Sequence, residues 1–423
     1  MNICMFSRIM PAHALGGMQD HVQMLSAALV RRGHRVAVMT SARADGKEFE
    51  TVEGVEIHFL KGTTVGRYSN AFWPVSARQC EELHAQKPFD VLHSQSIGAL
   101  GALRKNLPRQ YRLPLVTSLH GTHFDVLTTS WHTDFALTNP LGIARFGAVM
   151  AQMLFNYAQR DLWFIRASDV VIATSDADVV KYKKYYRLSD AQIRKVYNGI
   201  DTDLFAPSQV SSPSTSLRTS LQSLRTLLQI DADDKIILVL ARLQKDKGVQ
   251  NAIAVMPRVL AQTRAVLIVV GDGNYRAALE QLACDLGVAE RVRFVGAQPL
   301  AECARYFNLC DVFVDPTLRT DGYDLTIAEA MACGKAVIVS DVGANSTLID
   351  AATMRDGILI RRGDQDELAS ELLRVLNDAA LARSMGALAR EKIVARFSIL
   401  AMVEGMERVY AEMVERVARR VES

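Results

Sequence analysis

Cysteine is scarce in this chain of 423 residues. There are six, Cys4, Cys80, Cys284, Cys303, Cys310 and Cys333, and no pair has CxxC spacing. Their apolar or helical settings make them expected core thiols, reduced, in a cytoplasmic protein. Long hydrophobic runs are also lacking. None approaches the roughly 20 apolar residues that a spanning helix needs. The opening NICMF reads as a strand entering a polar loop, so no signal peptide is expected. A charge excess is missing as well: the net charge is +3, and nothing demands a nucleic-acid partner. The balance is uneven, however. Residues 1–205 hold 23 Lys/Arg against 18 Asp/Glu, and the remainder 26 against 28, which makes the first half slightly basic. No dense Asp/His cluster has ligand spacing, so no metal is expected. The glycines near the first helix do not follow GxGxxG, which excludes a dinucleotide fingerprint.

What is present is a folded-protein composition, 49% hydrophobic and 22% charged, over a length that fits two domains of roughly 200 residues each. Short apolar runs alternate with helix-period segments throughout. Asn2–Phe6, RVAVMT, FDVLHS, PLVTSLHG, SDVVIATS and IRKVYNGID read as buried strands ending in polar residues. In open α/β sheets ligands sit beyond the carboxyl ends of strands, so His93, His120, Ser175 and Asn198 fall at the rim. A lone histidine there is ordinarily structural. Phe146, Met150, Met153, Leu154 and Tyr157 have helical spacing and are expected to form a packed interior helix. The alternative is an acceptor-binding or membrane-facing surface. The run Lys181-Tyr-Lys-Lys-Tyr-Tyr-Arg187 has the composition of an interfacial patch or of a solvated helix face.

Residues 206–222, rich in Ser with two prolines, read as a linker. It separates a Rossmann-like domain at 1–205 from a second at 223–395. The last segment, 396–423, is an amphipathic helix by spacing. In the second domain Arg242 and Lys247 leave a strand end five residues apart, where both can reach one anion. Arg offers a planar fork of donors and Lys a point charge, a combination suited to a diphosphate. A glycine turn follows at Gly271 and Gly273.

The stretch around which the rest is organised is VFVDPTLRTDGYDLTIAEAMACGKAVIVSDVG, Val312 to Gly343. It reads as strand, polar loop, short helix stopped at Gly334, and strand. The loop-to-helix junction presents free backbone N–H groups and the positive end of a helix dipole, which suits a phosphate. Asp321 and Glu329 lie eight apart beside it, as acceptors for sugar hydroxyls. An ordinary βαβ unit can carry the same polar loop and one helix glutamate with no function attached.

This stretch resembles the Glu-x7-Glu signature of the retaining GT-B enzymes of glycosyltransferase family 4. The likeness spans nearly the whole chain and is strongest over 235–345. It implies an α/β GT-B fold of two doubly wound domains facing across a cleft, with the terminal helix returning to the first domain. Glu329 matches the glutamate that holds the nucleotide ribose. Asp321 stands where the first Glu is expected, near the donor sugar, and Asp324 where the family usually has glycine. An extra carboxylate beside a diphosphate is repulsive unless Asp324 serves as the helix N-cap, the role expected for it. Arg242 and Lys247 resemble the R-x4-K diphosphate pair, and Gly271 and Gly273 the GxG turn under the nucleotide. LHGTH resembles the histidine-glycine turn that reaches the donor sugar, with His120 favoured over His123. The Gly16-Gly17 loop resembles one lining the cleft. Gly17, Gly322, Tyr323, Leu325 and Thr326 complete the implied donor site.

The resemblance implies transfer of a sugar from a nucleotide diphosphate sugar to an acceptor hydroxyl, with retention and without metal or other cofactor. UDP is the expected base carrier, GDP next. The acceptor is a small molecule, a lipid-linked glycan or a polysaccharide, with a peripheral membrane contact through the first domain as an added expectation. The rivals are a sugar-nucleotide epimerase or phosphorylase on the same architecture, and a non-catalytic nucleotide-sugar-binding protein. The substitutions at 321 and 324 keep the last of these open.

Overall fold

The computed structural model describes residues 1–13, 17–122, 124–125, 140–208, 215–319 and 324–422. The chain forms two compact units. The first comprises Met1–His123, Ala144–Gly199 and Ile399–Ser423, and the second comprises Phe124–Ile143 and Ile200–Ser398.

The first unit holds β1 (Asn2–Phe6), β2 (Arg35–Ser41), β3 (Phe49–Val52), β4 (Val55–Leu60), β5 (Val91–Gln95), β6 (Leu115–Ser118), β7 (Val170–Ala173) and β8 (Ile193–Lys195). They form one sheet in the order β3-β4-β2-β1-β5-β6-β7-β8. Every pairing is parallel except β3 with β4. Helices cover both faces, so alternate residues of one strand enter different cores. Ile3 and Met5 pack with Val22, Leu25 and Leu29 of helix Gly17–Arg31 and with Met402, Met406 and Met413. Cys4 and Phe6 face the opposite way, among Phe72, Leu92 and Phe164. This two-sided burial explains why the strands read as continuous apolar runs.

The terminal helix, Ile399–Glu422, is part of this unit. Its apolar stripe joins the first core, and Arg32 pairs with its Glu407 at 2.8 Å. The phenol of its Tyr410 is buried against His93.

The second unit holds β9 (Lys235–Leu240), β10 (Ala265–Val270), β11 (Val292–Gly296), β12 (Val312–Asp315), β13 (Ala336–Ser340) and β14 (Ile358–Ile360). The order is β11-β10-β9-β12-β13-β14, with all pairings parallel. Val312 registers with Ile237 on one side and Ala336 on the other. Ile237, Val239, Leu267, Val269 and Val314 form the centre of the core, covered by Val249, Ile253, Leu279 and Leu372.

Both units are therefore doubly wound Rossmann-like α/β folds, as the alternating pattern predicts. Four details differ from the sequence reading. Residues 206–222 are not linker throughout, because a helix runs from Thr215 to Leu227 and the chain enters the second unit already at Ile200. The helix Pro140–Asn156 exists, yet it is not interior: Val149, Met150, Leu154 and Phe155 are exposed. Spacing alone does not show which face another element covers. Cys284 is exposed rather than in the core, while the other five cysteines are buried and all six are free thiols. The hairpin β3-β4 and the edge strand β14 lie in stretches whose short strands carried no clear pattern.

Candidate active site

In a doubly wound sheet the strand order reverses once, and the loops on either side of that point diverge and leave a crevice. In the second unit the reversal lies between β9 and β12. The loop leaving β9 carries Arg242 and Lys247, and the one leaving β12 leads toward Asp324. The topology brings together two motifs far apart in sequence, with Lys247 and Asp324 separated by 77 positions.

Close backbone approaches fix these loops. Gly248 has φ +70°, and a Cβ there would lie 1.8 Å from the carbonyl oxygen of Pro316. Only glycine allows this contact, which presses the β9 loop onto the β12 loop. Leu318 N–H donates to the carbonyl of Asp246 at 2.8 Å across the same seam. Below, Gly271 has φ +133°, and a Cβ on it would meet the Ala241 carbonyl at 1.9 Å. Gly273 lies close under Leu243, where a Cβ would meet the carbonyl oxygen at 2.3 Å. The glycine turn thus supports the loop that carries the two basic residues.

Lys247 does not stand free. Its side chain is only 7% exposed, and Nζ donates to Oδ1 of Asp324 at 2.5 Å. Asp315, at the end of β12, is buried against the same carboxylate. Burial, and then the charge of Asp324, push the Asp315 carboxyl well above its usual range. Burial also raises Asp324, but Lys247 and Arg319 outweigh it and hold the group ionised. Asp324 does occupy the N-cap position of helix Leu325–Ala332, yet its side chain makes no cap hydrogen bond. The expected capping role is corrected by this geometry, since a desolvated ammonium attracts the carboxylate more strongly than a backbone N–H does. Lys247, expected as an available phosphate ligand, is correspondingly committed to Asp324.

Arg242 is exposed. Leu325 and Thr326 form the first turn of the helix. Glu329 lies one turn further in, buried, on a helix that packs against helix Leu300–Leu309. Burial and then the charge of Glu329 push the Cys303 thiol up to about 12. Asp321, Gly322 and Tyr323 lie outside the described residues.

The first unit has its own reversal, between β1 and β5. Three histidines gather at the carboxyl ends of these strands and their neighbour β6. His93 shares hydrogen bonds with Ser118 Oγ at 2.8 Å and Tyr410 Oη at 2.7 Å. His120 shares one with Gln95 Oε1 at 2.6 Å. His21 stands edge-on to His120, with ring centroids 5.2 Å apart. Its Nδ1 is buried and has no hydrogen-bond partner among the described residues. Burial pushes His21 down to about 4. Burial and then the neighbouring His21 push His93 down to about 3, and His120 is depressed well below the normal range by the same causes. All three rings are neutral at pH 7.

Gly17 is the first residue of helix Gly17–Arg31 rather than part of the preceding loop, and Gly16 and His123 lie outside the described residues. Ser175, at the rim by sequence, is spent on capping helix Asp176–Lys181 through the Asp178 N–H. The sequence reading overlooked Asp315, Gly248, His21, Gln95 and Tyr410. Only Asp315, a carboxylate ending an apolar strand, carried a local signal.

Comparison with known proteins agrees with this architecture. Residues 15–204 match the model for Glycosyltransferase Family 4, and residues 222–392 the model for Glycosyl transferases group 1. The chain thus consists of two glycosyltransferase domains of the GT-B fold class, and the protein is a glycosyltransferase. It is 26% identical over 396 residues to N-acetyl-alpha-D-glucosaminyl L-malate synthase of Bacillus anthracis, covering 92% of each chain. Its fold is similar to that of sucrose-phosphate synthase from Thermosynechococcus elongatus (TM-score 0.76, 21% identity, 98% and 99% of the two chains). It is also similar to Anabaena HepE, solved with UDP-glucose (TM-score 0.70, 20% identity, 97% and 100% covered). Among the described residues no helix is long and apolar enough to cross a membrane.

Proposed function

We propose that this glycosyltransferase moves a sugar from a nucleotide diphosphate sugar to an acceptor hydroxyl with retained anomeric configuration and without a metal. The observation that carries the reading is the crevice between β9 and β12. The loop after β9 carries Arg242 and Lys247, the loop after β12 leads into helix Leu325–Ala332, and Glu329 lies one turn further along that helix. In the reaction the bond from C1 to the diphosphate oxygen breaks, and the acceptor oxygen bonds to C1 on the same face. The acceptor proton passes to the departing diphosphate. Negative charge grows on that diphosphate, and Arg242 and Lys247 stabilise it there. Leu325 and Thr326 supply N–H groups to the phosphate oxygens, and Glu329 accepts from the ribose hydroxyls. Gly271 and Gly273 underlie the nucleotide, and Asp321 with His120 orients the sugar.

A UDP-sugar is the proposed donor, with GDP-mannose next. HepE, which shares the fold, was solved in complex with UDP-glucose. The acceptor belongs to glycan, polysaccharide or small-molecule glycoside synthesis, a class that includes the malate of the Bacillus relative. A peripheral membrane contact of the first unit is supported by exposed Val149, Met150, Leu154, Phe155 and Trp163, with the basic run at 181–187 nearby in sequence. Sedimentation with vesicles containing anionic lipid tests it, and no binding above that to neutral vesicles refutes it.

Thermal shift with UDP, GDP, ADP and their sugars tests the donor reading, because a ligand of the folded state raises Tm by mass action. The expected result is a shift from one nucleotide that is lost in Glu329→Ala. No shift from any of them refutes the donor site.

A further inference from the structure

The pairing of Lys247 with Asp324 has a consequence for how the donor site, as read above, takes its ligand. Lys247 is 7% exposed and Asp324 25%, so the carboxylate lies on the solvent side of the ammonium. An anion entering from solvent meets Lys247 where Asp324 already stands. Asp324 is held in place by Lys247 and by Arg319, whose charge also favours its ionised form, with Asp315 buried beside it. The charges of Lys247 and Asp324 cancel. The pair therefore offers a diphosphate no net attraction until Asp324 leaves. The carboxylate makes no cap bond to its helix, so its departure breaks nothing there.

We propose that Asp324 is an affinity-determining residue of the donor site, an internal anion that occupies the phosphate position on Lys247 and is displaced by a diphosphate. The inference rests on the donor-site reading. Its effect is to select ligands with two charged phosphate groups, since a single phosphate competes poorly with a carboxylate already bonded to the ammonium. Removing Asp324 alone leaves Asp315 close to the lysine and takes away one of the causes that hold its pKa up, so it gives Asp315 room to replace the lost carboxylate. Full release of the lysine requires both carboxylates to be neutralised.

The experiment is calorimetric titration of inorganic pyrophosphate, UDP and GDP into the full-length protein and the variants Asp324→Asn and Asp315→Asn/Asp324→Asn. Folding of each is checked by its melting curve. The double variant is expected to bind pyrophosphate and the preferred nucleotide at least about tenfold more tightly, the lower end of the coupling measured for close charge pairs. The single variant is expected to gain less. Adding Lys247→Met to the double variant is expected to abolish the gain, which places it at the lysine. If the wild type binds a nucleotide and the folded double variant binds it no more tightly, the inference is overturned and the donor site stands. If neither binds any of the three probes, the donor reading fails and takes the inference with it.

Discussion

The histidines His21 and His93, buried, and His120, half-buried, make the first unit sensitive to mild acid, by an amount that follows from their environments. A histidine in the unfolded chain titrates near 6.5, whereas His21 and His93 titrate in the folded unit at about 4 and about 3. Each pKa is depressed by folding, so each ring stabilises the fold fully above the unfolded value. That contribution is lost as pH falls below 6.5, where the unfolded chain takes up protons that the folded unit refuses. Between pH 7.5 and pH 5 the loss is about 2 kcal/mol for each of the two, or about 4 kcal/mol together. His120 adds to it in the same direction. Carboxyls with raised pKa act with the opposite sign: Asp315 belongs to the second unit, and Asp20, raised by burial, offsets part of the loss in the first. The assay is urea unfolding followed by the fluorescence of Trp73, which is buried in the first unit. The midpoint is expected to fall from pH 7.5 to pH 5. His21→Leu, which removes one of the three titrating rings, is expected to reduce that fall by roughly a third. A midpoint unchanged between the two pH values refutes the burial argument.

Two further outcomes follow from individual contacts. Gly248→Ala places a Cβ 1.8 Å from the Pro316 carbonyl at φ +70°, and is expected to cost about 2 kcal/mol or more of stability in the second unit and to weaken nucleotide binding, as read by calorimetry. Wild-type melting and affinity in that variant refute the packing seam. Tyr410→Phe leaves Nδ1 of buried His93 without its partner and is expected to cost about 1–3 kcal/mol in urea unfolding, with the acid sensitivity retained.

Much of this was legible along the chain. The continuous apolar strands are a local property: both faces of a parallel sheet are buried, so each strand shows unbroken hydrophobicity whatever its neighbours are. The stop at Gly334 is equally local, and the structure gives that residue φ +70°. Arg242, Lys247, Gly271, Gly273 and Glu329 stood out because their chemistry is carried by residue type and short spacing. What the sequence by itself determined was therefore the α/β class, the two-domain organisation and the motif-bearing loops. The tertiary structure decided what those loops do to one another. Whether Asp324 caps its helix or seizes Lys247 depends on Gly248 packing against Pro316 and on the order β9-β12, which brings distant segments together. The gathering of His21, His93 and His120 with Tyr410, from the far end of the chain, has the same origin. Electrostatic and packing energies depend on distance in space, and the strand order, not the spacing along the chain, sets that distance.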